Sequence, residues 1–285
     1  MMDYQIKAES GRQLLARLST RPGLGGLDER LLGPAGPLPH DVIEITGEPS
    51  VGKSVLALQW VARAILSPPR GGLGVEVLLI DADHHQPLFV LVRLLQSCMK
   101  AFMSKTPGLR LNSSLVETSI KDALKRLTIV SVYDSTNLYT ALLGLDMMLL
   151  SKPQMSMVVI DSLPAFYWSD RLSGGLPHMD SYLKRLLTVL QNSTKQHKVT
   201  VVFTRPSHFQ SAVPSRFRSK DDTVGSTRLI TLSRVDDANT GESSKGSGTS
   251  LPRQNCQSTF CAVIRSAYGQ SSHKYLINKD GLTWL

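Results

Sequence analysis

Residues Asp41–Ser54 read DVIEITGEPSVGKS, and the meaning of the remaining chain turns on them. Val42, Ile43 and Ile45 make a short apolar run of the kind a buried strand shows. It passes directly into Gly47, four residues, then Gly52, Lys53 and Ser54, the spacing of a phosphate-binding loop. A polyphosphate has to be wrapped by backbone N–H groups, and glycine lets the chain come that close. Gly47 makes the turn out of the strand, and Gly52 opens a helix whose N-terminal dipole favours anions. Glu48, Pro49, Ser50 and Val51 complete the loop. Lys53 is placed to reach the β and γ phosphates, and the Ser54 hydroxyl to ligate magnesium. In the helix that follows, KSVLALQWVARAIL, Leu58, Val61 or Ala62, and Ile65 share a face, and Pro68 and Pro69 stop it.

At 285 residues the chain holds one full α/β domain with a large core and is too short for two of that kind. Its 41% hydrophobic and 19% charged residues are an ordinary globular composition. No apolar run reaches the roughly 20 residues of a membrane span. The start, MMDYQIKAES, lacks an apolar signal core, so a cytosolic or nuclear location and no membrane partner are expected. Cys98, Cys256 and Cys261 are too scattered for a disulfide framework, and no Cys/His spacing resembles a zinc site. A net charge of +9 suits a polyanionic partner such as nucleic acid without requiring one.

Outward from the loop, ESGRQLLARL (Glu9–Leu18) reads as a short amphipathic helix, and the rest of a lead-in spanning 1–40 is rich in Gly, Pro and Leu. Further strands are expected at Val75–Ile80, Leu127–Val132, Met155–Ile160 and Val199–Thr204, with helices between them from Pro87, Ser114, Asn137 and Met179. Strands alternating with helices imply a mainly parallel sheet, helices on both faces and right-handed crossovers, so 41–204 is the core. The stretch 205–257 has linker composition, with Arg216, Arg218, Lys220, Arg228 and Arg234 among Ser, Asp and Thr, and is read as a flexible basic loop. In 258–285, Thr259–Ser266, Lys274–Asn278 and Leu282–Leu285 with the turn NKDG suggest an antiparallel edge completing the sheet.

The loop needs a carboxylate near its magnesium. Asp161, at the carboxyl end of the apolar strand MVVI, is the expected one, since ligands of such sheets bind at the carboxyl ends of strands. Asp83 ends another strand, expected to lie adjacent to the loop strand. Two roles are open to it, orienting an attacking water and simple capping or solvation. His84 and His85 are neighbours pointing in different directions, so they are expected to be loop residues and not metal ligands. Phe166, Tyr167 and Trp168 offer stacking surfaces, with core packing expected for at least two of them, and Arg171 with Gly174 and Gly175 forms a basic turn.

GLGGLDERL, DVIEITGEPSVGKS, RGGLGVEVLLIDADHH, MVVIDSLPAFYWSDRLSGG, VTVVFT and YLINKDGLTWL follow one another in that order. The series resembles the RecA-type recombinase ATPases, specifically the eukaryotic recombinase paralogues. The likeness covers about Ala8–Thr204 and the final strands, and is nearest to a small member without the N-terminal helical domain. It implies a RecA-like phosphate-loop ATPase core and a nuclear role in homologous recombination repair of DNA double-strand breaks. It further implies assembly with sister paralogues, a D-type sister in particular, in support of the main recombinase filament. Carried onto this chain, Gly47 to Ser54 hold ATP, Ser54 and Asp161 serve magnesium, and the loops after Asp161 and Thr204 face DNA.

Three departures from the family pattern qualify this. Active members carry glutamate where this chain has Asp83, shorter by one C–C bond, roughly 1.5 Å of reach. Arg205 and Pro206 stand where the family has an Asn-Gln pair that senses the γ-phosphate. No Phe-x-x-Ala polymerisation motif precedes the core. The expectation is an ATP-binding adaptor with weak or absent hydrolysis. The alternative is a DNA-dependent ATPase with Asp83 as general base.

Overall fold

Near-continuous runs of Val, Ile and Leu, as in VLLI of 77–80 and MVVI of 157–160, suit strands covered on both faces, and such runs occupy the centre of the molecule. The computed structural model describes residues 10–18, 20–84, 87–104, 113–174, 178–209, 227–235, 258–267 and 269–285. The chain runs α1 (Gly11–Leu18), α2 (Glu29–Leu32), β1 (Val42–Gly47), α3 (Lys53–Ile65), β2 (Glu76–Asp81) and α4 (Pro87–Ser104). It continues through α5 (Ser113–Leu124), β3 (Leu127–Ser131), α6 (Ser135–Ser151), β4 (Met155–Asp161), α7 (Tyr167–Leu172), α8 (Met179–Thr194) and β5 (Thr200–Pro206). The last strands are β6 (Arg228–Arg234), β7 (Thr259–Ser266), β8 (Gly269–Asn278) and β9 (Gly281–Trp284).

All nine described strands lie in one sheet in the order β3-β2-β4-β5-β1-β6-β7-β8-β9. The strands from β3 to β6 are parallel, and β7, β8 and β9 add antiparallel hairpins. Alternate side chains of each central strand feed two cores. Ile43, Ile45, Val77, Leu79, Met157 and Val159 pack with Leu56, Trp60 and Ile65 of α3 and with Leu91 and Leu95 of α4. Val42, Leu78, Ile80, Val158, Ile160 and Phe203 pack with Leu138, Leu142 and Leu145 of α6 and with Leu183, Leu187 and Leu190 of α8. This is the α/β architecture expected, with its antiparallel C-terminal edge.

Two expectations are corrected. Residues 228–234, assigned to a flexible linker, form β6, which pairs with β1 on one side and β7 on the other. The strand leading to Asp83 is not the neighbour of the loop strand, because β4 and β5 lie between β2 and β1. The segments 210–226 and 236–257, with Arg216, Arg218, Lys220 and Cys256, lie outside the described residues, as do His85 and Gly175. Among the described residues no helix is long and apolar enough to cross a membrane.

Candidate nucleotide site

The turn from β1 into α3 leaves no room for a side chain at either of its glycines. A Cβ on Gly47 would sit 2.4 Å from the Leu232 carbonyl oxygen of β6 and 2.8 Å from Val51 Cγ2. A Cβ on Gly52 would meet Ile277 Cδ1 of β8 at 2.9 Å, and its φ of +92° is in the left-handed region. Ser50 shares that handedness at φ +64°, so successive backbone groups between Ser50 and Gly52 curve into a concavity of the anion-binding kind. Gly52 caps α3 and has no side chain to hydrogen-bond the first turn, which leaves the positive end of a 13-residue helix free for an anion.

Lys53 is half-buried and folds back over this concavity, donating to the carbonyl oxygens of Gly47 (3.1 Å) and Glu48 (2.7 Å). Burial lowers its pKa, while Asp161 and Asp83 oppose the shift. Asp161 ends β4 and accepts hydrogen bonds from the hydroxyls of Thr204 and Ser54. Burial pushes its carboxyl above the ordinary range. The two hydroxyls act against that shift, and Asp83 and Asp81 add to it. A largely buried carboxylate held beside the Ser54 hydroxyl is a donor set that suits a divalent cation, and the glycine cradle with Lys53 suits the phosphates it would accompany.

Asp83 is exposed but turned into the site, accepting from Ser162 Oγ at 3.2 Å. Its backbone N–H and that of Ala82 donate to the Asp161 carbonyl oxygen (3.2 and 2.8 Å), which ties the end of β2 to the end of β4. The structure thus gathers Gly47 to Ser54, Asp161 and Asp83 in one place, although β2 does not neighbour β1. His84 is a loop residue. Its N–H donates to Asp81 (3.0 Å), its Nε2 lies 2.9 Å from the Val132 carbonyl, and its ring stacks on Tyr133 with centroids 4.5 Å apart. No cluster of metal-binding side chains occurs among the described residues.

Arg205 lies in β5 with its guanidinium on Glu44, a carboxylate 3% exposed in β1. Tyr167 is fully buried, Phe166 packs partly buried against the α6–α8 core, and Trp168 remains 47% exposed. The guanidinium of Arg171 lies 5.9 Å from the Tyr167 ring centroid and 5.7 Å from that of Trp168. Arg228 is engaged by Asp41 at 3.0 Å, and Arg234 lies 5.7 Å from the Phe260 ring centroid.

The far side of the loop was not foreseen. There Gly47, Glu48, Pro49 and Val51 face Ser207, Thr231, Leu232, Ser233 and Arg234 across a cavity of about 500 Å³. The Tyr275 hydroxyl of β8 donates to the Val51 carbonyl at 2.6 Å. The signal for β6 was the apolar trio Leu229, Ile230 and Leu232 inside polar surroundings, and nothing local marks Tyr275.

Searched against models of protein families, the chain matches none. It is 32% identical over 212 residues to the mouse DNA repair protein XRCC2, covering 73% of this chain and 72% of that one. It is 27% identical over 225 residues to the mouse DNA repair protein RAD51 homolog 2, covering 75% of this chain and 58% of the relative. The XRCC2 homolog of Arabidopsis thaliana is 25% identical over 213 residues, covering 61% and 56%. A crystal structure of the RadB recombinase superposes with a TM-score of 0.58 over 93% of this chain and 98% of that one, at 20% identity, and so matches in fold. On the identity and coverage shared with XRCC2, supported by the RAD51 paralogue and the RadB fold, this chain belongs to the RecA-type recombinase paralogues of DNA repair.

Proposed function

We propose that the chain is a nucleotide-braced adaptor of recombination repair. Gly47, Glu48, Pro49, Ser50, Val51, Gly52, Lys53 and Ser54 hold ATP, and Ser54 and Asp161 hold its magnesium, which when bound neutralises phosphate charge. The chain docks in the nucleus with a sister paralogue, of the D type, and supports loading of the main recombinase on DNA, which it reaches through the complex. The observation that carries this reading is the pairing of a complete phosphate cradle with Arg205 committed to Glu44. The cradle suits binding, while a sensor position locked inside the sheet suits a static role.

The test is equilibrium binding of magnesium-ATP to the purified chain, with Lys53→Ala as control, and phosphate release with and without single-stranded DNA. Loss of the Lys53 charge-assisted hydrogen bonds, worth about 1.5–3 kcal/mol, should weaken binding on the order of 10- to 100-fold. Little or no turnover is expected. Turnover stimulated by DNA in the isolated chain would sink the adaptor reading.

A second reading has one observation in its favour. Asp83 faces the same site, coupled electrostatically to Lys53 and Asp161, and hydrogen-bonded by Ser162. If turnover is found and Asp83→Asn abolishes it while ATP still binds, Asp83 is the general base of a DNA-dependent ATPase.

A further inference from the structure

The phosphate loop is held from outside by the C-terminal strands. Tyr275 of β8 is fully buried, with its ring 5.4 Å from Phe260 and 5.5 Å from Trp284, centroid to centroid. Its hydroxyl donates to the Val51 carbonyl at 2.6 Å. Beside it, Ile277 and Leu282 line the space against Gly52, the nearest at 2.9 Å from where a Cβ would stand. Gln59 of α3 donates to the Leu282 carbonyl (3.2 Å) and accepts from the Leu282 N–H (2.9 Å), so the same hairpin is tied to the helix behind the loop.

In a trans peptide the carbonyl of one residue and the N–H of the next point to opposite sides. Holding the Val51 carbonyl toward β8 therefore turns the Gly52 N–H away from β8, toward the side on which a phosphate would be wrapped. On the far side of this peptide plane stands Gly52 at φ +92°, a glycine with no Cβ to fix the plane by sterics. Burial also pushes the Tyr275 phenol up, so it remains a donor across the physiological range.

We infer that Tyr275 is a positioning residue of the nucleotide site: its hydroxyl sets the Val51–Gly52 peptide plane and thereby aims a loop N–H at the phosphates. The inference rests on the reading that Gly47 to Ser54 hold a nucleotide. It also gives the C-terminal hairpin a role beyond closing the sheet, because a substitution in β8 reaches the loop through one hydrogen bond.

The test uses the full chain as wild type, Tyr275→Phe and Lys53→Ala, with a fluorescent ATP analogue and magnesium as probe. Amide hydrogen exchange is followed in parallel. Tyr275→Phe keeps the ring packing and removes only the hydroxyl. It should weaken binding about three- to tenfold and speed exchange in peptides spanning Val51–Val55, with protection of β7 and β8 unchanged. If wild type binds through Lys53 and Tyr275→Phe binds equally well, the inference is wrong and the nucleotide reading stands. If exchange rises throughout β7 and β8, Tyr275 is a core residue and no more. If wild type itself binds no nucleotide, both readings fall.

Discussion

Glu44 shows how much one residue can conceal. In VIEITG it is the one charge in a strand buried throughout, and the composition of that strand says nothing about its partner. The parallel register of β1 and β5 sets Glu44 opposite Phe203 and Thr46 opposite Arg205, and the Arg205 side chain reaches back to the carboxylate. Breaking a buried pair from one side leaves an uncompensated charge, whereas replacing both partners by apolar groups is often neutral or stabilising. Arg205→Met should therefore lower stability by about 3–5 kcal/mol in urea unfolding, and Glu44→Leu with Arg205→Met should recover most of it. Equal stabilities for wild type and the single variant would contradict the pairing. That the loop glycines, Lys53, Ser54 and Asp161 come together was legible because their spacing and their place at strand ends are local features. Asp83 was legible as a site residue, but the route that brings it there was not.

At the scale of elements, α3 formed as its pattern required, with Leu58, Val61, Ala62 and Ile65 all buried, and so did the central strands, whose apolar runs need cover on both faces. β6 escaped because its seven residues carry arginine at both ends and alternate Leu and Ile with Thr and Ser, a pattern equally at home in a polar loop. What makes it a strand is the open edge of β1 on one side and β7 on the other, neither of which is local. Ile230 is 0% exposed and belongs to the core with α3, while Ser233 is exposed. Ile230→Ala should cost about 2–5 kcal/mol and Ser233→Ala within about 0.5 kcal/mol, measured by chemical denaturation. Similar small losses from both would remove β6 from the sheet.

For the molecule as a whole, the decisive arrangement is that the last strands return to the first loop. β9 is the far edge of the sheet, yet Leu282 is buried against α3 and Gly52, and Arg30 of α2 reaches the Leu285 carbonyl at 3.3 Å. Deleting residues 281–285 removes that packing, a loss comparable to a large-to-small core change, and should lower the thermal midpoint on the order of 10 °C by circular dichroism. An unchanged midpoint would show the hairpin to be ornamental. By itself the sequence determined the fold class, the glycine turn between β1 and α3, the carboxylate at the end of β4 and the antiparallel C-terminal edge. Each of these is written in short-range spacing or periodicity, which local sterics and burial enforce wherever the segment lies. The tertiary structure alone decided the strand order that puts β4 and β5 between β2 and β1, the entry of β6 into the sheet, the Glu44–Arg205 pair and the Tyr275 hold on Val51. Those depend on contacts between residues far apart in the chain, and the pairing is specified by the whole set of burials and satisfied hydrogen bonds that only the assembled sheet provides.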